Sequence, residues 1–403
     1  MPPNAVDFTL APPPDATTST TNEIFDSFVV TDAPEQRTFD DGLAVPFVLS
    51  PPSFSKPIST LEETVRFIKE HRINIDKALE ERGAVLFRGF PLVGPDDFDA
   101  FVKAFDGYTD LSYEKSMSFA VRTKLADRIC TTNEGKSGGL VFHHEQAQTP
   151  LWPSHVFFCC QLPAKPGDGG ETGIVSSPLV YEKLTKKHPE FCSKLEKHGV
   201  KYTVFAGPEQ DPSKGAGRSW KSFFHATTKE DCESKMTAGD WEWEWGIGPS
   251  NAKGDVGRDF LKCTTPVLEA VKLANGGGGG RLRKCFFNQL IATTANALEF
   301  SRVGDSTQGC DPLVDLPTQA GIDDCVRFGN GDSIPLEILL DAKQTCEDLA
   351  VNVQWQKGDV VLLSNYLMMH ARRHWIGPEG TRKLLASLVQ EEHCTSFGKH
   401  LIA

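Results

Sequence analysis

The sequence predicts a mainly β protein, a sandwich or barrel of short strands with helices packed beside it. From about residue 126 the chain alternates short strand-like runs with turns rich in Gly, Pro and Asp, which is typical of such folds. Two helical patterns precede this region and others interrupt it. The length of 403 residues suffices for one large domain or two average ones.

The first helix is predicted to run from Thr60 to Arg82. Thr60 is a good N-cap residue, and Glu62 and Glu63 place negative charge in the first turn, where the helix dipole favours it. Apolar residues recur through the segment, and Gly83 then ends the pattern. The helix therefore has a defined start, apolar positions along its length and a defined stop.

Further elements follow in chain order from the same signals. An apolar run at 84–90, bounded by glycines, indicates a buried strand, and Pro95 opens a second helix with an apolar face. The later strand-like runs are RICTTN, HVFFCCQL, TGIVSS, KYTVF, KCFFNQL, AVNVQW, DVVLLS and LLASLVQ. Helical insertions are predicted near 178–198, 256–274 and 332–349, and loops at 206–257 and 276–280.

Composition and charge narrow the class of function. Lys and Arg number 42 against 54 Asp and Glu, a net charge of -12, which argues against nucleic acid or an anionic membrane as the main partner. No apolar stretch approaches the roughly 18 residues of a membrane span, and the first residues lack the apolar region of a secretion signal. The 11 cysteines are scattered without a CxxC pair, which predicts reduced thiols and a cytoplasmic protein.

The strongest local signal is FHHEQAQTP at 142–150. On an extended strand, side chains two residues apart point the same way, so His143 and Glu145 share one face while His144 points to the other. The other pair, His144 with Gln146, offers a poor ligand. If a metal binds here, the strand period therefore selects His143 and Glu145, although so short a motif also occurs by chance.

A second signal lies near the C-terminus. His370 follows the buried run DVVLL, and Arg382 stands 12 residues later at the entrance of the run KLLASL. Two histidines and one carboxylate form the facial triad that binds Fe(II) and leaves positions open, and arginine is the natural partner of a carboxylate. Taken singly, His370 fits a packed core histidine and Arg382 an exposed strand arginine. Together with His143 and Glu145 they fit one chemistry.

Several longer motifs extend over most of the chain, from about residue 80 to 392. In order, they are GAVLFRGFPL at 83–92, TTNEG at 131–135, FHHEQAQTPLWPS at 142–154, GDGGETGIVSS at 167–177, HPEFCSKLEKHGVKY at 188–202, FFNQL at 286–290, FGNGDSIPLE at 328–337 and the segment from His370 to Leu388. In order and approximate spacing they resemble the TauD/TfdA branch of the Fe(II)- and 2-oxoglutarate-dependent dioxygenases. The resemblance is greater still to the clavaminate synthase-like members.

The resemblance implies a double-stranded β-helix core, a jelly-roll or cupin-like barrel with helices on one side. It implies that His143, Glu145 and His370 bind Fe(II), and that Arg382 and Thr172 bind the distal carboxylate of 2-oxoglutarate, which is consumed together with O2. A glutamate as the acidic ligand marks the clavaminate synthase-like branch, since the wider superfamily usually has aspartate. One departure is TRKLLASL, where relatives often carry a second arginine beside the first.

The expected organisation is a mobile N-terminal arm at 1–23 and a single dioxygenase domain at 24–403. Within the domain, the long stretch at 206–257 is expected to form a lid-like insertion, since such loops on a β scaffold are usually functional. Trp241, Trp243 and Trp245 alternate with glutamates there and would form one aromatic face on a strand.

The leading hypothesis is an oxygenase that hydroxylates, desaturates or cyclises a small-molecule substrate, for example an amino acid or its derivative in specialised (secondary) metabolism. Candidate substrate contacts are Arg122, which suits a substrate carboxylate, with Asn133 and Asn288. The alternatives for these residues are a surface salt bridge for Arg122 and a buried turn-end position for Asn288. Neither nucleic acid nor membrane is an expected partner, and the oligomeric state is left open.

Two other functions use the same residues. A zinc-dependent hydrolase could use the same His/Glu/His site, but it leaves Arg382 and Thr172 without a role. A non-catalytic binding protein of the same fold would not need an intact ligand set.

Overall fold

The structure is a computed structural model that describes residues 29–30, 33–39, 42–51, 58–132, 139–211, 217–248, 257–277, 281–301, 311 and 313–391. The predicted N-terminal arm at 1–23 lies outside the described residues. Within them the helices are α1 (Leu61–Arg82), α2 (Pro95–Lys103), α3 (Ser177–Lys187), α4 (Pro189–His198), α5 (Trp220–Phe223), α6 (Lys229–Ala238), α7 (Leu290–Ser301), α8 (Gln319–Cys325) and α9 (Leu336–Leu349).

The described strands are mostly short, as the sequence predicts. They are β1 (Val29–Val30), β2 (Arg37–Thr38), β3 (Ala44–Val45), β4 (Phe47–Ser50), β5 (Ala84–Phe87), β6 (Tyr108–Asp110), β7 (Cys130–Thr131), β8 (Leu140–His143), β9 (His155–Leu162), β10 (Thr172–Ser176), β11 (Val200–Ala206), β12 (Glu242–Trp245), β13 (Leu261–Thr264), β14 (Lys272–Asn275), β15 (Leu282–Cys285), β16 (Val326–Phe328), β17 (Val351–Val353), β18 (Val360–Ser364), β19 (Met368–Arg372) and β20 (Lys383–Glu391).

Helix α1 begins and ends where the sequence predicts. The Thr60 hydroxyl accepts a hydrogen bond from Glu63 N, and the Glu63 carboxylate accepts one from Thr60 N, which completes a capping box. Gly83 ends the helix at a positive φ of 75°, and a Cβ there would lie 2.7 Å from Met368 Cγ. Gly83 thus also lets the end of α1 approach strand β19 closely.

Two sheets form the centre of the molecule. The larger has the strand order β1-β4-β5-β18-β9-β20-β6, with β7 also paired to β20, and the smaller has the order β17-β10-β19-β8. Their strands pair antiparallel, except for the parallel pair of β4 with β5. A third sheet, β12-β13-β11-β16, and the ribbons β14-β15 and β2-β3 complete the described strands. The predicted mainly β architecture with flanking helices is confirmed.

The larger and smaller sheets pack against each other through one hydrophobic cluster. Phe158 and Val361 enter this cluster from the larger sheet, and Ile174 and Val353 enter it from the smaller sheet. Helices α1 and α2 cover the other face of the larger sheet, while α3, α4, α7, α8 and α9 cover the other face of the smaller one. Each sheet is therefore buried on both faces over most of its area.

The period of two along β19 decides which side chains lie between the sheets. Met369 and Ala371 pack into the outer helical cluster, so His370 and Arg372 point the opposite way, toward the larger sheet. The pairing of β10 with β19 sets Ile174 opposite His370. Since Ile174 belongs to the cluster between the sheets, the register agrees with the alternation.

Two predictions for the region 256–290 are wrong. The segment 256–274, predicted as helical, contains strands β13 and β14, because pairing with β11, β12 and β15 overrides the helical propensity of VLEAVKLA. The run KCFFNQL, predicted as one strand, is a strand only to Cys285. Asn288 Oδ1 accepts a hydrogen bond from Leu290 N, and helix α7 begins at Leu290.

The stretch 206–257, predicted as a loop, is more structured than expected in its described parts. It contains α5, α6 and β12, and it contributes Trp220, Phe223 and Trp241 to a hydrophobic cluster of its own. Along β12 the glutamates are exposed while Trp243 and Trp245 are half-buried against that cluster, so the predicted aromatic face is present. The insertion is therefore a small packed layer, built on β13 and β11.

Two further features of the described residues concern the cysteine side chains and the length and polarity of the helices. Each of the nine cysteines in the described residues is unbridged and buried. None of the described helices combines the length and the apolar character that crossing a bilayer requires.

Candidate active site

The two halves of the predicted metal site meet where β8 pairs with β19. His143 is the last residue of β8 and lies directly opposite His370 in the register of the two strands. Their imidazole rings lie 4.3 Å apart between centroids. Residues more than two hundred positions apart in the chain thus become neighbours through one strand pair.

Glu145 completes the group, although the strand ends before it. Its Oε2 lies 3.9 Å from His143 Nε2 and 3.5 Å from His370 Nε2. Each of the three residues offers one ligand atom, and these three atoms lie within 4.8 Å of one another. We refer to His143, Glu145 and His370 as the triad.

Neighbouring groups fix the orientation of the triad. His143 Nδ1 lies 2.9 Å from the Val141 carbonyl oxygen, so Nδ1 carries the proton and the Nε2 lone pair faces Glu145. The Tyr113 hydroxyl donates a hydrogen bond of 3.2 Å to Glu145 Oε1, the carboxylate oxygen that points away from both histidines. The side-chain amide of Asn365 accepts from Glu145 N at 2.8 Å and donates to Glu145 O at 3.0 Å.

His144 points to the opposite side, as the strand period predicts. Its ring is fully buried, with Nδ1 against the Asn365 carbonyl oxygen and Nε2 3.0 Å from both Ser177 Oγ and the Phe286 carbonyl oxygen. Burial lowers the pKa of His144 to about 3, so it is a neutral structural residue. Its role is to join β8 to the start of α3.

Electrostatics favour the ligand forms of the triad. Burial and the neighbouring His370 lower the pKa of His143 to about 4, so its imidazole is neutral near pH 7. Burial alone would raise the pKa of Glu145, but its neighbours, among them the hydrogen bond with His370 and the positive charge of Arg122, hold it below its ordinary value. Burial and the Glu145 charge raise the pKa of the Tyr113 phenol well above its ordinary value, so it remains a hydrogen-bond donor.

The triad lies in a cleft between the two central sheets. The residues that line it are Tyr113, Arg122, Thr132, Leu140, His143, Glu145, Phe158, Thr172, His370, Ala371, Arg372, Arg382 and Leu384. Of the predicted site residues, the structure therefore brings the triad, Arg382, Thr172 and Arg122 together. Glu145 is the one acidic residue among the described residues that line the cleft.

Arg382 and Thr172 are both buried on the cleft wall. Arg382 stands just before β20, and its Nε donates a hydrogen bond of 2.8 Å to the Gly170 carbonyl oxygen. A Cβ on Gly170 would lie 2.8 Å from Arg382 Nε, so the absence of a side chain there makes room for the guanidinium. The Thr172 hydroxyl accepts a hydrogen bond of 3.0 Å from Trp355 Nε1, which leaves its own proton to donate.

Two further arginines reach the cleft. Arg122 is half-buried, and its guanidinium lies 5.2 Å from the centre of the Tyr113 ring. Its Nε is buried without a hydrogen-bond partner, and among the described residues no carboxylate lies within ion-pair distance of it, so the surface salt bridge is not found. Arg372 is buried in β19, directly opposite Thr172 in β10. Burial, together with the positive charge of Arg122, lowers the pKa of Arg372.

The other two candidate substrate contacts do not join this group. Asn288 is buried outside the cleft, where its Nδ2 donates to the Ala270 carbonyl oxygen at 3.0 Å and its Oδ1 accepts from Leu290 N at 3.0 Å. Asn288 therefore occupies a buried turn-end position, which was the alternative to a substrate contact. Asn133 lies outside the described residues.

Comparison with known proteins agrees with this geometry. Residues 49–237 and 317–388 match the profile of the family described as "Taurine catabolism dioxygenase TauD, TfdA family". A clavaminate synthase-like protein of Arabidopsis thaliana is 35% identical over 363 residues, which cover 89% of this chain and 98% of the relative. The chain belongs to the TauD/TfdA family. It is an Fe(II)- and 2-oxoglutarate-dependent dioxygenase of that family.

More distant relatives were also found. The dapdiamide synthesis protein DdaC of Enterobacter agglomerans is 24% identical over 315 residues, 77% of this chain and 84% of the relative. Among solved structures, a taurine dioxygenase from Burkholderia xenovorans matches with 12% identity and a TM-score of 0.40, over 85% of this chain and 86% of that one. A structural similarity with so low a TM-score carries no argument about the function of this TauD/TfdA protein.

The triad suits the iron of a TauD/TfdA enzyme. Donors bound at about 2.0–2.2 Å to one ion lie roughly 3 Å apart when they meet at right angles. The Nε2–Oε2 separations of 3.9 and 3.5 Å are close to that spacing, and small side-chain movements would reach it. Two neutral imidazoles and one ionised carboxylate are also the donor set of such Fe(II) sites.

Several residues of the site were not predicted from the sequence. Tyr113, Asn365 and Trp355 act through side-chain hydrogen bonds across the fold, and no local pattern marks them. Arg372 did carry a signal, since it stands two residues after His370 on the same strand and must share its face.

Proposed function

We propose that the triad binds Fe(II), that Arg382 and Thr172 bind the distal carboxylate of 2-oxoglutarate, and that the enzyme oxidises a small molecule in the remaining cleft. The observation that carries this proposal is the convergence of three metal-ligand side chains with a buried arginine and threonine in one cleft. The substrate class we favour is an amino acid or its derivative in specialised metabolism. The name of the DdaC relative, which refers to dapdiamide synthesis, supports a biosynthetic role.

The proposed roles follow from the chemistry of each residue. Fe(II), when bound, supplies the activation of O2 that the oxidation of 2-oxoglutarate and substrate requires. Arg382 neutralises the far carboxylate of 2-oxoglutarate, and the bond from its Nε to Gly170 fixes its stem. Thr172 adds one hydrogen bond to the same carboxylate. Phe158, with the other apolar lining side chains, keeps water from the reacting atoms.

The finer description of the fold belongs to the same proposal. We infer that the two central sheets form the two walls of a double-stranded β-helix. The antiparallel pairing that predominates in both sheets and the hydrophobic cluster between them support this inference. The triad would then lie at the open end of the barrel.

The test is an anaerobic titration of the purified protein with Fe(II) and then 2-oxoglutarate, followed by a screen of substrates for succinate release. The Fe(II) protein should bind 2-oxoglutarate, and calorimetry should show that the Arg382→Ala variant has lost most of that affinity. A protein that hydrolyses a substrate with Zn(II) and ignores 2-oxoglutarate would be the zinc hydrolase instead. Binding of 2-oxoglutarate without succinate from any substrate pool would favour a non-catalytic binding protein.

We also propose that the insertion at 206–257 covers the cleft during turnover. Its described parts are attached to the segment that carries Tyr113: Arg218 donates to the carbonyl oxygens of Tyr113 and Ser116 at 2.8 Å each, and the Phe119 and Phe223 rings stack 3.8 Å apart. Hydrogen exchange in 217–248 should slow when Fe(II), 2-oxoglutarate and substrate are bound. Equal exchange in both states would indicate a rigid insertion.

A further inference from the structure

The hydroxyl of Thr172 has a proton that no group in the described part of the chain accepts. Thr172 is the first residue of β10, and its buried side chain lines the cleft. Its Oγ1 accepts a hydrogen bond of 3.0 Å from Trp355 Nε1. A buried hydroxyl proton without an acceptor is unfavourable, so this part of the cleft wall is suited to a ligand with an acceptor oxygen.

Trp355 determines the direction of that proton. An indole N–H can only donate, whereas a threonine hydroxyl donates once and accepts twice. Because one lone pair of Thr172 Oγ1 is bonded to Trp355, the hydroxyl proton must point away from the indole. Trp355 is not among the described residues that line the cleft, so Thr172 is the group through which it acts on a ligand there.

The chain on both sides of Trp355 is anchored, which fixes the position of the indole. Arg88 Nη2 donates to the Gln354 carbonyl oxygen at 2.7 Å. On the other side, Gln356 N donates to Asp359 Oδ2 at 2.9 Å. Arg88 and the fully buried Asp359 form an ion pair of 2.8 Å, which joins the two anchors. The indole itself packs against the hydrophobic cluster between the two central sheets. The donor therefore belongs to a rigid part of the fold.

The segment that carries Thr172 also orients Arg382. The Gly170 carbonyl oxygen, two residues before Thr172, accepts the hydrogen bond of 2.8 Å from Arg382 Nε. One short stretch of chain thus sets the positions of the arginine and of the threonine. Trp355 adds the one property that this stretch does not determine, which is the rotation of the Thr172 hydroxyl.

We propose that Trp355 is a positioning residue that makes Thr172 a hydrogen-bond donor to the distal carboxylate of 2-oxoglutarate. This inference rests on the proposed function. A carboxylate only accepts hydrogen bonds, so a hydroxyl that is already oriented as a donor binds it without being ordered first. Trp355 therefore contributes to the affinity for the co-substrate from outside the cleft.

The first experiment is anaerobic calorimetry of the Fe(II) protein with 2-oxoglutarate. Thr172→Val should weaken binding about fivefold to tenfold, and Trp355→Phe, which keeps an aromatic ring but loses the N–H, about threefold. The matched control is Trp152→Phe. Trp152 packs against the same hydrophobic cluster, and its Nε1 donates to the Tyr366 hydroxyl at 3.1 Å, outside the cleft lining. This variant should bind 2-oxoglutarate like the wild type.

Double variants separate positioning from packing. In the Thr172→Val protein, Trp355→Phe should have no further effect, because the hydroxyl that it orients is gone. In the Thr172→Ser protein, which keeps a hydroxyl, it should again weaken binding about threefold. Wild-type affinity in Trp355→Phe, or an equal loss in the Thr172→Val protein, would overturn the proposal. If the wild-type protein does not bind 2-oxoglutarate, the proposed function fails, and this inference fails with it.

A spectroscopic measurement on the wild-type protein does not depend on the folding of Trp355→Phe. In the ¹⁵N-labelled protein with Zn(II) in place of Fe(II), the Trp355 indole proton is identified by its change in Thr172→Val. A hydroxyl that donates to an anion becomes a stronger acceptor, so 2-oxoglutarate should move this proton signal downfield. In Thr172→Val, 2-oxoglutarate should leave the signal in place. An unmoved signal in a wild-type protein that binds 2-oxoglutarate by calorimetry would contradict the proposal.

Discussion

Tyr113→Phe should weaken Fe(II) binding by about tenfold to a hundredfold. Both Tyr113 and Glu145 are buried, and the hydroxyl lies 3.2 Å from Glu145 Oε1. A hydrogen bond to a charged group is worth about 1.5–3 kcal/mol, and each 1.4 kcal/mol is about a factor of ten in affinity. The bond restrains Oε1, so that Oε2 stays directed at the two histidines. Phenylalanine keeps the ring beneath Arg122, so the fold should be unaffected.

The assay is competition for Fe(II) with a chelator of known affinity under anaerobic conditions, alongside a thermal melt. The matched control is Tyr366→Phe, since the Tyr366 hydroxyl accepts from Trp152 Nε1 at 3.1 Å and does not contact the triad. That variant loses a comparable hydrogen bond and should bind Fe(II) like the wild type. An unchanged Fe(II) dissociation constant in Tyr113→Phe would refute the idea that Tyr113 positions the carboxylate.

The remaining predictions concern the ligands and their supports. Replacing any triad residue by alanine should abolish turnover and iron retention with little loss of melting temperature, measured by metal analysis and thermal melts; near-normal activity would remove that residue from the ligand set. Arg382→Ala should raise the apparent KM for 2-oxoglutarate at least tenfold, and Arg382→Lys should restore it only in part. Thr172→Val should raise the same KM by a smaller factor, because it removes one hydrogen bond. An unchanged KM in the Arg382→Ala variant would contradict the role of Arg382. Arg218→Met should lower the free energy of unfolding by about 3 kcal/mol or more, because it strands several buried carbonyl oxygens at roughly 1–3 kcal/mol each, and a urea melt of unchanged midpoint would contradict this.

The sequence predicted the features that depend on residues close together in the chain, such as helix ends and the alternation of side chains along a strand. The capping residues of α1 fixed both of its ends, and the strand period separated His143 and Glu145 from His144 even though β8 stops at His143. The alternation of side chains along β19 also places Arg372 on the same face as His370. The sequence alone gave no reason to expect a second arginine in the site, because only the folded cleft brings Arg372 beside the triad. The resemblance to the family then supplied the roles of Arg382 and Thr172.

Other features depend on contacts that a single sequence does not display. The apolar, helix-prone run after Pro266 forms strand and turn because partner strands are available, which only the tertiary structure determines. The strand period predicts only that His144 points away from the metal, whereas its two ring nitrogens bond to Asn365, Ser177 and Phe286. Replacing it would disturb the join between β8 and α3, so it is a poor control for metal binding.

Asn365 explains why the site is a property of the complete fold. It lies in the connection between β18 of the larger sheet and β19 of the smaller sheet, which leads to His370, and its side-chain amide bonds both Glu145 N and Glu145 O across 220 positions of the chain. The same amide donates to the Pro153 carbonyl oxygen at 2.8 Å, just before β9. A single side chain thus fixes the segment with Glu145 against the connection that leads into β19 and His370. Since neither half can present its ligand correctly without the other, Fe(II) binding should be linked to folding of the whole β core.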